Sequence, residues 1–340
     1  MEGLDRIVSP EKNINEDLTQ EKNLRPSKLD DFVGQEKITK NLKVFIESAK
    51  IRQKSLDHVL LAGPPGLGKT TLAYILAKEL NVNLKATSAP IIEKAGDLAS
   101  ILTGLEKHDV LFIDEIHRLS PALEEILYPA MEDKTIDIVI GQGIGAKSIK
   151  IDIAPFTLIG ATTRTGLLTS AFRDRFGIPL RLNYYTPKEL KTIVIRSASI
   201  LNYEISEEAA LEIAKRSRRT PRIVNRILKR VVDFSTVQNL EKIDLKITKY
   251  ALQKLDIDEL GLDDMDRKIL SALIEKYEGG PVGIKSIAVT IGEEVDTLED
   301  YYEPFLVQIG FLKRTPRGRV ATLEAYKHLG FENKLINQNF

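Results

Sequence analysis

The run GPPGLGKT from Gly63 to Thr70 follows the apolar run Val59-Leu60-Leu61-Ala62 without a gap, and few folds accept that junction. The pattern fits Gly-x-x-x-x-Gly-Lys-[Ser/Thr]. Its glycines let the backbone turn its N–H groups inward around phosphates, and the helix that opens behind it adds partial positive charge. Gly66 belongs to this cradle. Lys69 is placed to neutralise the β and γ oxygens of ATP, Thr70 to hold Mg²⁺ by its hydroxyl, and Thr71, next on the same helix start, is a further nucleotide-binding candidate. A glycine-rich turn with no ligand is the rival reading of such a run, and the strand before it and the helix after it argue against that.

The rest of the first half agrees with a nucleotide-binding sheet. Short apolar runs at 59–62, 110–113 and 156–160 alternate with helical stretches such as Thr71 to Leu80. Strands covered by helices on both faces read as unbroken apolar runs, so the pattern predicts an α/β domain with a parallel sheet that ends near Arg181-Leu182. Asp114 and Glu115 close the run Val110-Leu111-Phe112-Ile113, which puts both acids at the carboxyl edge where ligands of open α/β sheets bind. Asp114 is the candidate for orienting the metal, and Glu115 for polarising the attacking water, since phosphoryl transfer needs a placed nucleophile more than covalent chemistry. Alone, two such acids are a solvated strand end. The strand at 157–161 runs into Thr162-Thr163-Arg164, offering two hydroxyls where a γ-phosphate could be sensed, although threonine favours strands in any case. Phe172-Arg173-Asp174-Arg175-Phe176 sets arginines beside apolar anchors. It suits an arginine supplied to a neighbour's site, and equally a surface ion pair with Asp174.

After Thr186-Pro187 the chain reads as helices only, to about Ile257, including Lys188 to Leu201 and Ser206 to Ser217. A third unit follows, with helix patterns at 263–277, 284–291 and 294–308. Phe311-Leu312-Lys313-Arg314, a Pro316-Arg317-Gly318 turn and Val320-Ala321-Thr322 then form a hairpin pattern, and three helices with a hairpin predict a winged helix. The domain division expected from these shifts is 1–184, 185–257 and 258–340. Residues 1–23 are polar and aperiodic, which predicts a frayed arm before Leu24-Arg25-Pro26.

Composition removes several function classes. The 49 basic and 49 acidic side chains cancel, so any DNA contact must be local. Such a local charge exists: the third unit holds 10 basic against 15 acidic residues, yet Lys313, Arg314, Arg317 and Arg319 fall within seven positions free of acid. A basic hairpin tip of this kind is either solvated or a phosphate grip that positions DNA without reading its sequence. With no cysteine in 340 residues, disulfides, thiolate metal sites and cysteine nucleophiles are excluded. The absence of a signal-peptide core near the start and of any run of 18 apolar residues predicts a soluble, cytoplasmic protein with no membrane contact.

Taken in order, GPPGLGKTTLA, the DEIH of Asp114 to His117, GATTR at Gly160 to Arg164, RDRFGI at Arg173 to Ile178, TPR at Thr220 to Arg222 and RTPRGR at Arg314 to Arg319 resemble the RuvB family over nearly the whole chain. The resemblance implies an AAA+ ATPase of three parts, a large P-loop domain, a helical lid and a winged-helix head, assembled as a homohexamer. It drives branch migration of Holliday junctions in double-stranded DNA, in recombination and repair, with RuvA and RuvC. It also implies Arg175 as the finger acting in trans, Arg222 as the lid's γ-phosphate sensor, and a sensor at Thr162 or Thr163. Leu24, Arg25 and Tyr185 match positions lining the nucleotide pocket, and the Glu132-Asp133 backbone comes close to it. Lys134 departs from the aromatic residue many relatives carry there. Alternation at Ile136-Asp-Ile138-Val-Ile140 and Ile149-Lys-Ile151-Asp-Ile153, around Gly141-Gln-Gly143, predicts a β-hairpin. From the residues alone it packs on its own domain; the resemblance implies docking on RuvA. Arg314, Arg317 and Arg319 are the candidate DNA contacts. A clamp-loader-like ATPase and an ATP-gated DNA-binding switch that does not translocate are the competing functions.

Overall fold

The computed structural model describes residues 24–140 and 147–332. The expected N-terminal arm and the hairpin turn at Gly141-Gln-Gly143 lie outside them. The chain divides into two compact units, one of Arg25–Tyr184 and one that joins Leu24 to the chain from Tyr185 onward.

In the first unit, helix α1 (Glu36–Arg52) precedes strand β1 (Val59–Ala62), α2 (Lys69–Leu80), β2 (Leu84–Ser88), α3 (Ala95–Thr103), β3 (Val110–Asp114) and α4 (Pro121–Glu132). The hairpin β4 (Thr135–Ile140) and β5 (Lys147–Asp152) comes next, then β6 (Thr157–Thr162), α5 (Ser170–Arg173) and β7 (Ile178–Arg181). Five strands pair in parallel in the order β2-β3-β6-β1-β7. β1, β3 and β6 are buried almost throughout, as helices on both faces require. β2 has a half-exposed, mixed sequence because it is an edge strand, and that is why no apolar run announced it. One core cluster fills this unit between the sheet and α3 and α4, with Leu111, Ile113, Leu127, Phe156 and Phe172 among its members.

The β4–β5 hairpin pairs Ile136 with Ile151 and Ile138 with Ile149. Ile136 is fully buried, Ile151 and Ile153 pack on the same core, and Ile149 is 45% exposed. The hairpin base is thus anchored on its own domain, while its apolar side continues outward at Ile149.

His58, just before β1, supports this core in its neutral form. Its Nδ1 accepts from the Leu158 N–H at 2.8 Å, so Nε2 carries the proton and donates to the Met131 carbonyl at 3.1 Å. Burial, with Lys134 adding to it, pushes the imidazole down to about 4.

In the second unit, α6 (Pro187–Ile200), α7 (Glu207–Lys215), α8 (Pro221–Val237) and α9 (Leu245–Lys254) form a helical group. Thr186 caps α6 in a reciprocal box with Glu189, and Ser206 caps α7, as Ser/Thr followed by Glu predicts. The expectation of helices only is corrected here. Glu204–Ile205 (β8) and Lys242–Ile243 (β9) pair in parallel, a two-residue bridge too short to carry a period.

The last part holds α10 (Asp264–Lys276), α11 (Ile284–Ile291), a third helix, the antiparallel strands β10 (Leu312–Thr315) and β11 (Gly318–Ala321), and a closing helix Leu323–His328. Tyr302, Phe305, Leu306 and Tyr326 fill its own core. The third helix expected at 294–308 runs unbroken over 295–308, α-helical at Val295–Thr297 and Glu303–Gln308 and widened to a π-helical stretch at Leu298–Tyr302. Pro304 has no N–H to give to the preceding turn, which accounts for the widened stretch ahead of it.

His58 makes stability pH-dependent. The unfolded imidazole takes up a proton near pH 6.5 and the folded one only near pH 4, so stability should fall as pH drops through that window, by roughly 3 kcal/mol at about 1.4 kcal/mol per pKa unit. Urea unfolding of the wild type and of His58→Gln between pH 7 and 4 should show the steeper loss in the wild type.

Candidate nucleotide site

Parallel pairing brings the predicted residues to one sheet edge. Ala62 of β1 lies beside Thr162 of β6, and β3, which ends at Asp114, flanks β6 on its other side. The chain leaves β1 at Gly63, whose N–H donates to the Thr162 carbonyl at 3.1 Å, while the Leu182 N–H donates to Ala62 at 2.8 Å. Gly63 has φ +143, and a Cβ there would sit 2.8 Å from the Leu182 oxygen. The sharp exit therefore requires glycine. Gly66 and Gly68 also take positive φ, and Gly68 starts α2.

Lys69 is buried, and its ammonium donates to the carbonyls of Gly63 at 2.7 Å and Pro64 at 2.9 Å. The loop thus holds its own cation at its centre, in line with the N-terminus of α2. Thr70 Oγ1 lies 3.4 Å from Asp114 Oδ2. A hydroxyl and a carboxylate so close form the hard oxygen set that Mg²⁺ takes from protein, the remaining ligands being phosphate and water oxygens. Among the described residues, no cluster of three or more His, Asp or Glu side chains offers a metal site made of protein alone.

Glu115 stands in the left-handed region, at φ +49, and its N–H donates to Asp114 Oδ1 at 3.0 Å. Its Oε2 is 3.3 Å from Nδ1 of His117, whose side chain is 6% exposed. The same Nδ1 lies 2.9 Å from Thr162 Oγ1, which accepts the Arg164 N–H at 3.0 Å. His117 Nδ1 thus stands between the Glu115 carboxylate and the hydroxyl at the end of β6. His117 stood in the DEIH run, but nothing in spacing alone gave it this part. The two threonines separate in role: the Thr162 hydroxyl is buried in this bridge, whereas Thr163 is half-buried, stands outside it, and is the freer of the two for a ligand.

Arg175 is turned toward α4, and none of its partners belongs to the group around Lys69. Its guanidinium lies 4.2 Å from the Tyr128 ring centroid, Nη1 donates to the Ala171 carbonyl at 2.6 Å, and Nε is 3.2 Å from Glu132 Oε1 in an ion pair that lacks hydrogen-bond alignment. Glu132 and Arg175 are thus brought together. Tyr128, which no motif marked, is braced by Glu124 and Thr169 through hydroxyl contacts of 3.4 and 3.1 Å. Asp133 closes α4. Lys134 points into the domain, toward the Met131 carbonyl and the Phe156 ring, and burial lowers its pKa. The Lys134 side chain is thus committed to its own domain.

Arg25 is half-buried in the first unit. In the second unit, the Leu24 carbonyl accepts from Arg196 at 3.1 Å, buried Tyr185 donates its N–H to the Arg219 carbonyl at 3.1 Å, and Arg222 is exposed in the first turn of α8.

The basic hairpin is less uniform than its sequence. Arg314 and Arg319 both grip Glu303, which is 4% exposed, and Arg319 reaches Glu299 at 2.8 Å as well. Only 15% of the Arg319 side chain is exposed. Two arginines are balanced here by two glutamates, so the charge left for a polyanion sits on Lys313, on Arg317 at the turn, and on the exposed flank of Arg314.

Comparison with known proteins covers the chain in three pieces. Residues 24–182 match the model of the Holliday junction DNA helicase RuvB P-loop domain, 185–258 the RuvB AAA lid domain, and 259–330 the RuvB C-terminal winged helix domain. The Holliday junction branch migration complex subunit RuvB of Lawsonia intracellularis is 59% identical over 317 residues, 93% of each chain. The solved structure of the Thermotoga maritima RuvB Holliday junction branch migration motor superposes with a TM-score of 0.83 at 55% identity, over 91% of this chain and 98% of that one. A lysine-to-arginine variant of the same protein gives 0.84 at 56%, over 90% and 98%.

Replacing Thr163 by Val should lower turnover at saturating ATP by on the order of 10²-fold with nucleotide affinity retained. Thr162→Val should mainly cost stability, about 1–3 kcal/mol, by leaving buried partners unsatisfied. Steady-state hydrolysis, fluorescent-nucleotide titration and urea unfolding of both variants check this; the opposite ranking would exchange the two roles.

Proposed function

Because the chain belongs to the RuvB family, a family of P-loop ATPases with an AAA lid and a winged helix, we propose that it is the motor subunit that drives branch migration of Holliday junctions in double-stranded DNA, by ATP hydrolysis at subunit interfaces. The observation that carries this reading is one chain holding both a complete hydrolytic edge, Lys69, Thr70, Asp114, Glu115 and Thr163, and a wing whose free charge suits phosphates. The proposed division of the sequence is 1–184 for the motor part, 185–257 for the lid and 258–340 for the head.

ATP phosphates enter a loop whose cation is already centred, so Lys69 exchanges two carbonyls for phosphate oxygens with little movement. Thr70 and Asp114 are the residues that would hold Mg²⁺, which supplies charge neutralisation at the β and γ oxygens. Glu115 orients the attacking water and accepts its proton, and its His117 contact restrains the carboxylate until a γ-phosphate engages the end of β6. Arg175 acts in trans, leaving Tyr128 and Glu132 for the γ-phosphate of the neighbouring subunit. Arg222 reports the same phosphate to the lid. Leu24, Arg25, Tyr185 and the backbone of 132–134 complete the pocket.

The head is the DNA-contacting part. Its third helix region, 295–308, carries no basic residue to meet the phosphates that flank a groove. The wing takes that place, through Arg317, with Lys313 and Arg314 beside it, while Arg319 serves the hairpin's own fold. The exposed apolar side of the β4–β5 hairpin at Ile149 is proposed to dock on RuvA, which presents the junction, and RuvC acts on the same junction. The working assembly is a homohexamer in the cytoplasm. No helix among the described residues is long and apolar enough to cross a membrane.

The test is dissociation of a synthetic four-way junction with ATP, Mg²⁺ and RuvA. Arg175→Ala should keep ATP binding and lose hydrolysis by on the order of 10³-fold or more, and mixing it with Lys69→Arg subunits should restore part of the activity, as complementation across an interface requires. Hydrolysis without junction movement by the wild type would leave the switch or clamp-loader reading. Arg317→Ala should weaken junction binding equally across sequences and reduce the salt slope by about one charge, whereas Arg319→Ala should lower the unfolding temperature of the head.

A further inference from the structure

Immediately before Arg222 the chain makes a turn whose backbone is costly. Arg218 and Arg219 stand side by side in the left-handed region, at φ +51 and +56, where neither has glycine's freedom. What holds the turn is the Arg218 side chain, 5% exposed. Its Nε donates to the Gly261 carbonyl at 3.2 Å, and its Nη2 to Asp263 and, at 2.6 Å, to Asp266. The guanidinium lies 5.2 Å from the Phe305 ring centroid, 5.6 Å from Tyr301 and 5.8 Å from Tyr302. Asp263 and Asp266 are not loose acids: each accepts the other's backbone N–H at 3.0 Å in a capping box that opens α10. Burial works against the Arg218 charge, and the two aspartates hold it protonated; burial likewise drives Asp266 above its ordinary range, against the pull of Arg218.

The other side of the turn belongs to the nucleotide residues. The Arg219 carbonyl accepts the Tyr185 N–H, Thr220 is the N-cap residue of α8, and Arg222 stands two residues further on. The linker to the head lies against the same place: the Arg216 guanidinium donates to the Ile257 carbonyl at 3.0 Å, and a Cβ on Gly261 would meet the Arg216 oxygen at 2.6 Å. A buried ion cluster gives little net stability compared with apolar side chains of the same shape, so its use here needs another reason.

We infer that Arg218 is a positioning residue that makes the lid turn and the head move as one body, so that a displacement of Arg222 and Tyr185 by nucleotide is delivered to the wing. The inference rests on the motor reading above. A flexible joint would let Arg222 follow the γ-phosphate while the head stayed behind. The guanidinium, whose Nη2 bonds the two carboxylates that cap the first head helix while Nε holds Gly261 and three rings of the third helix face it, removes that slack.

The test replaces the cluster without stranding buried charge: Arg218→Met together with Asp263→Asn and Asp266→Asn, and Arg218→Lys alone. Because the natural chain has no cysteine, Val237→Cys in the lid and Val289→Cys in the head, 82% and 84% exposed, take spin labels cleanly. The triple variant should hydrolyse ATP and bind a four-way junction within about 3-fold of wild type, yet move the junction at least 10-fold less per ATP, and its lid–head distance distribution should broaden. Arg218→Lys, keeping charge without the Nε bond to Gly261, should restore the ratio only in part. A variant that merely unfolds more easily would lose hydrolysis and movement together and leave their ratio unchanged. An unchanged ratio with an unchanged distance distribution overturns the inference. If wild type hydrolyses ATP but moves no junction, the motor reading falls, and the distance distribution alone still decides whether Arg218 is the joint.

Discussion

The parallel pairing of β6 with β1 on one side and β3 on the other is the constraint on which the hydrolytic chemistry depends. Parallel strands end at one edge, so a loop leaving β1, an acid pair ending β3 and a hydroxyl pair ending β6 converge although about a hundred residues separate the first from the last. The hydrogen bond from Gly63 to Thr162 then ties the start of the loop directly to β6. A strand slipped by one residue would turn Asp114 and Thr162 away from the loop, so the site's precision comes from the register of the core.

Charge is handled locally throughout. The chain is neutral overall, yet four cations at the centre of the account are each met by a defined partner set: Lys69 by loop carbonyls, Arg175 by Tyr128 and Glu132, Arg218 by two aspartates, Arg319 by Glu299 and Glu303. Those contacts differ in meaning. The carbonyls around Lys69 are replaceable by phosphate and hold the residue ready, whereas the carboxylates around Arg218 and Arg319 are buried partners whose loss would leave charge stranded.

What was legible in the sequence follows from the range of the physics involved. The phosphate loop was legible because glycine positions, the lysine and the helix start are neighbours in the chain. So were the capped helices α6 and α7, the hairpin and the winged-helix outline. The edge strand β2 and the β8–β9 bridge escaped because neither is buried on both faces nor long enough to show a period. The π-helical widening of the head's third helix was signalled only by Pro304. Roles set by contacts between distant segments could not be read at all: that His117 joins Glu115 to Thr162, that Tyr128 carries Arg175, and that Arg319 is bound by glutamates and Arg317 is not. Four basic residues in a row of seven looked alike until their neighbours were known.

The acid-rich third helix of the head also bears on how smoothly a motor can run. A recognition helix lodged in the major groove gains about 1–3 kcal/mol for each well-made base contact, and loses it again one base pair later. For a translocating protein those wells are static friction, with a depth that changes along every sequence. Phosphates recur with a nearly uniform spacing, so a wing that touches them feels a regular and shallow potential. A head that touches DNA by its wing and keeps the helix of 295–308 out of the groove, as proposed above, would run on a level track.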